Sequence, residues 1–379
     1  MEAPFVFGKI AFDKDFTDRK LETSQLITNF KSLTNTIIIS PRRLGKSSLV
    51  YRAAGMAIEK SAKLRFCFLD LYNVRSEEEF FNLLAHQILA ATNSRIDEII
   101  VAAKKFMSKI SPRITFSTGN DIKFNLSFSW KDAHIHTDEI LEMADKIALE
   151  KKIRLIICID EFQNIADFSD SLLLQKKLRS HWQLQRNVAY CLYGSKRNML
   201  MHVFNSSSMP FYKFGDILYL QKISENDWAD FIMKRFSDTG KMISIDDAKS
   251  IAVFTECHSY YVQQLAQQVW LRTKKVCNDK IVTEAFDSLV LQMSFLFQNL
   301  TDELSNTQIN FLEALIAGVS NFSSRQTLDE FRLGTSANIT KIRNALMNRE
   351  ILDNYNGRVE LLDPLYHQWL KRYYFMNKK

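Results

Sequence analysis

Five short apolar runs recur along the first part of the chain, with polar or amphipathic stretches between them. The runs occupy positions 36–39, 65–71, 153–159, 187–193 and 217–220. Runs of this length with almost no polar interruption are typical of parallel strands covered on both faces. The intervening segments 47–60, 77–109 and 138–151 have the apolar spacing of helices. The alternation of strand and helix predicts an α/β fold with a parallel sheet and crossover helices.

One segment inside this region has a different pattern. Apolar and polar residues alternate between positions 114 and 130, around the turn-forming sequence Thr118-Gly119-Asn120-Asp121. Strict alternation is typical of strands with one solvated face, and the central residues favour a turn. We therefore expect a β-hairpin insertion at about 112–132.

After Ser224 the strand pattern stops. Helical spacing predicts helices at about 225–236, 245–255, 260–277 and 282–300, and then at 306–317, 325–332 and 336–349. Positions 351–362 read as a hairpin around Asn356-Gly357, a strong two-residue turn signal. Three helices followed by a hairpin are the outline of a winged helix. The expected domains are an α/β core at 1–222, a helical domain at 223–300 and a winged helix at 301–379.

The turn after the first strand carries Gly45-Lys46-Ser47, the end of the phosphate-binding pattern G-x-x-x-x-G-K-[ST]. Backbone N–H groups of such a loop, and the positive end of the following helix, converge on an anion. Lys46 is expected to reach the β- and γ-phosphates, and the Ser47 hydroxyl to ligate Mg²⁺. An ordinary strand-to-helix turn is the alternative.

The loop departs from the pattern at its start. Its first glycine should fall at position 40, where the chain has Ser40, a residue that tolerates positive φ poorly. Pro41 fixes its own φ, so the loop is expected to be stiffer than a glycine-rich one. Arg42 and Arg43 either add positive charge beside the phosphates or face solvent and pair with an acidic neighbour.

The most apolar strand, at 153–159, ends in Asp160-Glu161. Carboxylates at the end of a buried strand lose hydration, and a Mg²⁺ ion would compensate for that loss. Asp160 is expected to hold the metal opposite Ser47, and Glu161 to act as general base toward the attacking water. A solvated turn is the alternative. Since ligands bind at the carboxyl ends of parallel strands, we expect these carboxylates to lie beside the phosphate loop.

Further polar residues follow the next strand. Ser195 is expected to sense the γ-phosphate or to position the water, with a plain turn as the alternative. Arg179 either reaches the nucleotide of a neighbouring subunit or lies on the surface. A surface position is favoured for Arg179, and the same holds for Lys196, Arg197 and Lys213. His134 and His136 are expected to be a surface pair, because no carboxylate or cysteine lies at ligand spacing from them.

The amino-acid composition indicates the class of protein and the compartment in which we expect it. The 379 residues are 46% hydrophobic and 25% charged, which is typical of a globular protein. The sequence contains neither an apolar run long enough to span a membrane nor a secretory pattern at its start, so we expect a cytoplasmic protein without a membrane segment. Its five cysteines lack CxxC spacing and predict free thiols. The net charge of +7 permits a nucleic-acid or acidic partner.

Taken together, these motifs resemble the archaeal/bacterial P-loop ATPase family, which is placed near the AAA+ and STAND NTPases. The resemblance rests on three segments: FTDRKLE at 16–22, SPRRLGKSSL at 40–49 and IDEFQ at 159–163. The family's loop begins with glycine or serine, so Ser40 is a tolerated variant there. The resemblance implies an ATPase core followed by a helical lid and a winged helix.

The resemblance also implies functional residues. It implies binding of ATP/ADP with Mg²⁺, and ATP hydrolysis that involves Lys46, Glu161 and Ser195. The nucleotide-binding residues of the loop would be Pro41, Arg42, Arg43, Leu44, Gly45, Lys46, Ser47 and Ser48. Asp18, Arg19 and Glu22 match a box that packs near the adenine. The lid position of a sensor-2 arginine instead reads His258-Ser259-Tyr260-Tyr261, so we expect slow or partner-dependent hydrolysis.

The charge of the C-terminal region does not decide between DNA and a protein as the partner. Positions 301–379 have ten Lys and Arg against nine Asp and Glu, a weak balance for a DNA reader that depends on phosphate contacts. The predicted recognition helix offers Lys341, Arg343 and Arg349. The first hypothesis is an ATP-hydrolysing switch whose nucleotide state repositions the helical lid and the winged helix, with a protein partner or a homo-oligomer as its expected partner. The alternatives are an ATP-dependent DNA-binding initiator or regulator, and a nucleotide-binding scaffold that never hydrolyses.

Overall fold

The computed structural model describes residues 3–107, 113–117, 123–127, 137–355 and 358–376. The predicted turns at 118–121 and 356–357, and the histidines at 134 and 136, lie outside these residues. The chain divides into two compact units. The first unit is Arg19–Gln221, which we call the sheet unit. The second joins Met1–Asp18 to Lys222–Lys379, and we call it the helical unit.

A five-stranded parallel sheet forms the centre of the sheet unit. Its strands, numbered along the chain, are β1 Thr36–Ile39, β2 Leu64–Asp70, β5 Arg154–Asp160, β6 Val188–Gly194 and β7 Asp216–Tyr219. They lie in the order β2-β5-β6-β1-β7, and every neighbouring pair is parallel. The five apolar runs of the sequence are therefore the five strands, and the predicted α/β fold with a parallel sheet is confirmed.

Helices cover both faces of this sheet. They are α1 Lys20–Ser32, α2 Lys46–Lys60, α3 Glu77–Thr92, α4 Ile96–Phe106, α5 Thr137–Lys151, α6 Ser171–Trp182 and α7 Arg197–Asn205. On one face, Phe66 and Phe68 of β2 contact Phe30 of α1 and Tyr51 of α2, with ring centroids 5.1 and 4.3 Å apart. On the other face, alternate strand residues pack against α3–α7 in one buried cluster. Burial on both faces explains why the strands lack polar alternation.

Two features of this unit concern the segment after β2. The helix predicted over 77–109 is divided, because the Asn93 side chain donates to Leu89 O at the end of α3, and α4 begins only at Ile96. Beyond α4, β3 Arg113–Ser117 and β4 Lys123–Ser127 pair antiparallel. The strands of the expected hairpin insertion are therefore present.

The helical unit contains the remaining elements. Its helices are α8 Glu225–Ser237, α9 Ile245–Phe254, α10 Ser259–Arg272, α11 Asp279–Gln292, α12 Ser294–Asp302, α13 Asn306–Ile316, α14 Arg325–Glu330, α15 Ser336–Asn348 and α16 Pro364–Trp369. The strands β8 Leu352–Tyr355 and β9 Arg358–Leu361 pair antiparallel after α15. One continuous cluster of buried side chains runs from Phe5 to Phe375. The division of this unit into a lid and a winged helix stays a prediction.

The N-terminal segment up to Asp18, which the sequence assigns to the core domain, packs within the helical unit. Phe5 is buried against Phe231 and Phe236, with ring centroids 6.2 and 5.9 Å away. The buried Arg235 donates from Nε to the carbonyl of Pro4 at 2.8 Å, and from Nη2 to Asp15 at 2.9 Å. Burial of an arginine requires such partners, so these contacts fix the N-terminal segment on α8.

All five cysteines are free thiols, as predicted, and only Cys257 is partly exposed. None of the described helices has the length and apolar character needed to cross a membrane.

Two glycines provide a matched test of the sheet. A Cβ added to Gly215 would overlap the carbonyl group of Asn35, whose carbon lies 2.6 Å away, where β1 and β7 begin their pairing. We expect Gly215→Ala to lower the free energy of unfolding by about 1–3 kcal/mol, since the strands must separate. Gly55 lies in α2 with open space around it, so Gly55→Ala should raise stability by about 0.5–1 kcal/mol. Urea unfolding of both variants measures the difference, and equal effects would contradict the assigned close approach.

Candidate functional site

Three strand ends bring the candidate residues to one edge of the sheet. The loop at 40–45 follows β1, Asp160 ends β5, and Ser195 follows β6. Because β6 lies between β1 and β5, Ser195 is placed between the loop and the two carboxylates. The strand order thus brings together residues that are more than 100 positions apart in the chain.

The loop after β1 needs a left-handed backbone at two positions, and neither is Ser40. The positive φ angles fall at Arg43 (60°) and Gly45 (90°). Ser40 is fully buried, its φ is not positive, and its hydroxyl donates to the carbonyl of Pro41 at 3.0 Å. Serine is accepted at position 40 because the conformation that requires glycine is absent there.

Gly45 is the N-cap residue of α2, so this helix begins without a side-chain cap. Ser76, by contrast, caps α3 by accepting from the backbone N–H of Glu79. The first N–H groups of a helix have no partner inside the helix, and together with the macrodipole they attract anions. Leu44, just before Gly45, is buried, whereas Arg42 and Arg43 are exposed. The buried side chain of Leu44 therefore anchors the loop, and the exposed side of the loop attracts anions.

Lys46 lies at the centre of this loop. Its ammonium group is buried and donates to the carbonyl of Pro41 at 2.9 Å. Burial lowers the pKa of Lys46 to about 8, against the opposing effect of Glu161 and Asp160, while Arg42 and Arg197 lower it further. The lysine is thus still charged near neutral pH and poised to gain from a nearby anion.

Ser47 and Asp160 form a direct contact. The Ser47 hydroxyl donates to Asp160 Oδ2 at 2.6 Å, and the other carboxylate oxygen accepts from the backbone N–H of Glu161 at 2.8 Å. Burial raises the pKa of Asp160 to about 6, and the neighbouring Glu161 raises it as well, although the Ser47 hydrogen bond acts in the opposite direction. Ser47 and Asp160 therefore lie together at the sheet edge, and their predicted role as ligands of a shared metal stays a prediction.

Glu161 turns away from the strand axis with a φ of 52°. Its Oε2 atom accepts from the Ser195 backbone N–H at 3.2 Å and from the Ser195 hydroxyl at 2.9 Å. The same hydroxyl accepts from Nε of Arg42 at 3.2 Å. Ser195 thus connects the phosphate loop to Glu161.

Several solved structures share this architecture. A Walker-type ATPase of Pyrococcus abyssi has a TM-score of 0.65, with 16% identity over 97% of this chain and 99% of that chain. The Aeropyrum pernix ORC2 protein in ADPNP-ADP complexes has 0.58, with 13% identity over 97% of each chain. The A. pernix ORC1 protein in complex with DNA has 0.51, with 12% identity over 100% of each chain. No protein-family model matches the sequence, and no curated protein is significantly similar to it.

This chain has the fold of the P-loop ATPases. At 12–16% identity the likeness concerns the fold, and it confirms the fold that the sequence resemblance implied.

Within this P-loop ATPase fold, two predicted residues lie in different surroundings from the loop. Arg19, which the resemblance places near the adenine, is the N-cap residue of α1, where it is buried and forms an ion pair with Glu22 at 3.1 Å. Arg179 is half-buried, and its guanidinium lies 4.9 Å from the ring centroid of Phe214 in the same unit. The favoured surface position of Arg179 is therefore only partly correct, because the side chain stacks on an aromatic ring.

The structure places two further residues in the candidate site: Arg197, for which the sequence favoured a surface position, and Gln163, to which it gave no role. Arg197 begins α7 and is close enough to Lys46 to lower its pKa, so it belongs to the positive side of the site. Gln163 is fully buried in the short 3-10 helix Phe162–Asp167, and its side-chain amide donates to Glu161 Oε2. In the sequence, Gln163 appears only as part of IDEFQ. No spacing rule links a glutamine to a carboxylate two residues earlier, so the sequence gives Gln163 no role.

The oxygen atoms of Ser47 and Asp160 fit a Mg²⁺ ion. Magnesium prefers hard oxygen ligands and usually takes one or two from the protein, the others from water and phosphate. Asp160 and Glu161 also bring two carboxyl groups to one buried strand end, where burial makes the charge of Asp160 unfavourable in the absence of a cation. A divalent ion at Ser47 and Asp160 would remove that cost.

Proposed function

We propose that this chain binds ATP with Mg²⁺ and hydrolyses it to ADP and phosphate. The observation that carries the proposal is the convergence of Lys46, the Ser47–Asp160 pair and the Ser195–Glu161 pair at one sheet edge. The solved ORC2 structure of the same fold holds ADPNP and ADP, which supports an adenine nucleotide as the ligand.

Each residue has a distinct role in this proposal. The loop N–H groups at 42–48 and Lys46 bind the phosphates, and Arg42 and Arg197 add positive charge beside them. Ser47 and Asp160 hold Mg²⁺, which supplies charge neutralisation on the phosphate oxygens. Glu161 accepts a proton from the water that attacks the terminal phosphorus. Ser195 holds Glu161 through two hydrogen bonds. Arg19 supports the base-binding side, as the resemblance implies.

We further propose that the nucleotide state acts as a switch on the helical unit. The chain passes between the two units twice, at positions 18–19 and 221–222. The first passage leads directly into α1, which packs on α2, the helix that begins with Lys46. The second follows β7, the neighbour of β1. Both connections therefore leave elements that contact the phosphate-loop segment. A protein partner or a second copy of the chain would then respond to the switch.

The charge distribution favours a second candidate function, nucleic-acid binding. Positions 19–221 contain 29 Lys and Arg against 20 Asp and Glu, a balance of +9, whereas the rest of the chain has 21 against 23, a balance of −2. The solved ORC1 structure of this fold is a complex with DNA. Since phosphate contacts dominate affinity for nucleic acid, the charge favours such binding on the sheet unit over the predicted recognition helix.

Six exposed cations cluster at the amino ends of β2 and β5, and we call them the basic edge. They are Lys31, Lys60, Lys63, Arg65, Lys152 and Arg154. Arg154 is the register partner of Leu64, and its guanidinium donates to the carbonyl of Lys31 at 2.6 Å, so these elements meet. Within the described chain, none of the six takes part in a salt bridge. The negative ends of three helix dipoles stabilise part of this positive charge. The side chains that form no salt bridge are available to contact the phosphate backbone of a nucleic acid.

The first prediction concerns the general base. Glu161→Gln should retain ATP binding and lower kcat by about 10²- to 10⁴-fold, because the amide cannot accept the proton. Lys46→Ala should lose binding and serves as the blank. The measurements are single-turnover hydrolysis and calorimetric titration with ADPNP. Unchanged turnover in Glu161→Gln would exclude Glu161 as the base.

The second prediction concerns pH. Lys46 loses its charge above its pKa of about 8, and Asp160 gains a proton below its pKa of about 6. Affinity for Mg²⁺-ADPNP should therefore be highest between these values and fall about tenfold per pH unit outside them. Calorimetric titrations from about pH 5 to 9 measure the two limbs.

Two variants control for protonation of the nucleotide itself. In Asp160→Asn, the fall in affinity at low pH should lose the part that depends on Mg²⁺. In Lys46→Arg, the affinity should not fall at high pH. Identical acidic limbs in wild type and Asp160→Asn would show that Asp160 does not hold the metal.

The third prediction tests the basic edge against the C-terminal helix. With ATP and at about 50 mM salt, reversing Lys63 and Lys152 to Glu should weaken binding to a DNA duplex and reduce the salt slope by about 2. Reversing Lys341 and Arg343, the matched pair on α15, should have little effect. The opposite ranking would assign the contact to α15, and absence of duplex binding by wild type would exclude this second function.

A further inference from the structure

The hydrogen bonds to Glu161 are unevenly distributed between its two carboxylate oxygens. Oε2 accepts from the backbone N–H and the hydroxyl of Ser195, and also from the Gln163 side-chain amide. No group of the described chain donates to Oε1. One oxygen of the carboxylate is therefore held by three donors, while the other is left to accept from a further molecule.

Gln163 makes this contact at a cost to the fold. Its side chain is fully buried, and its Oε1 atom has no hydrogen-bond partner in the described chain. A buried polar atom without a partner is unfavourable, and an apolar side chain of the same shape would avoid the cost. The stability of the fold therefore does not explain why position 163 has an amide side chain.

Gly194 provides the space for this glutamine. A Cβ at position 194 would overlap Gln163 Oε1 and lie 3.0 Å from Cδ and 3.3 Å from the Cα of Glu161. Gly194 is the last residue of β6, immediately before Ser195. The strand end that supplies two of the three donors to Glu161 thus also leaves room for the third.

We propose that Gln163 is a positioning residue for Glu161, seated in the space left by Gly194. It fixes Oε2 so that Oε1 faces the attacking water. This inference rests on the proposed ATP hydrolysis and goes beyond it by assigning roles to Gln163 and Gly194. A carboxylate held by Ser195 alone could rotate about its terminal bond, and misplacement of a base by about 1 Å can cost about 100-fold in rate.

The first experiment replaces the amide by an apolar side chain. Gln163→Leu should lower kcat by about 10- to 100-fold and leave the dissociation constant of Mg²⁺-ADPNP within about twofold of wild type. Its melting temperature should not fall, because the unpartnered Oε1 atom is removed. A purely structural role for Gln163 predicts the reverse, a lower melting temperature with kcat retained in the folded fraction.

Gln175 supplies a matched control. It is a buried glutamine on α6 whose Oε1 also lacks a hydrogen-bond partner within the described chain, and no hydrogen bond links it to Glu161, Asp160 or Lys46. Gln175→Leu should therefore leave kcat unchanged. A similar loss of kcat in both variants would assign the effect to general repacking and overturn the proposal.

The second experiment is a double-mutant cycle through Gly194. Gly194→Ala should lower kcat about as much as Gln163→Leu, because the new methyl group displaces the glutamine. In a Gln163→Ala background, which has no side chain to displace, the further effect of Gly194→Ala on kcat should be less than about threefold. Independent, multiplicative effects of the two substitutions on kcat would contradict the proposal that Gln163 occupies the space left by Gly194.

The outcomes also separate this inference from the proposed function. Absence of ATP turnover by wild type would overturn both. Turnover that Glu161→Gln abolishes but Gln163→Leu leaves at the wild-type rate would overturn the positioning role alone.

Discussion

Asp160 and Glu161 place two carboxyl groups next to each other at the end of a strand that is buried along its length. The cost of their charge is visible at Asp160, whose pKa burial raises to about 6. The surrounding residues can be understood as responses to that constraint. Ser47 and the backbone of Glu161 donate to Asp160, Ser195 and Gln163 donate to Glu161, and Lys46 lies close enough to both for attraction. The site thus places two buried carboxyl groups beside the cations of the loop.

The same constraint explains how the phosphate loop works without its first glycine. The positive φ angles fall at Arg43 and Gly45, so position 40 needs no left-handed backbone. Ser40 instead uses its hydroxyl to bind the carbonyl of Pro41, the same carbonyl that accepts from Lys46. Serine and proline thus hold the lysine over the loop near the carboxylates. A loop rich in glycine would reach this arrangement only by losing more backbone freedom on folding.

The sequence predicted the strands well and pointed to the strand ends where the candidate residues lie, for a physical reason. A parallel strand buried on both faces must be apolar throughout, so polar residues at its end stand out, as Asp160 does after 153–159. The helix break at Asn93 was harder to see, because it depends on one side chain closing one carbonyl. The sequence named Arg197 but favoured a surface position, and it gave Gln163 no role. The places of both residues depend on strand order and on a close approach between β6 and the turn after β5. The absence of a side chain at Gly194 is informative only once Gln163 is known to lie against it.

The N-terminal segment illustrates a different limit of sequence reasoning. Adjacent residues usually belong to one domain, so the sequence assigns the segment before α1 to the sheet that follows it. Its apolar anchor Phe5 and its acceptor Asp15 are instead satisfied by α8 residues more than 200 positions later. A buried arginine such as Arg235 must find acceptors, and here they come from the chain start. The left-handed backbone at Asp18 and Arg19 then turns the chain into α1. The chain thus joins the two units at both ends of the sheet unit, before Arg19 and after Gln221.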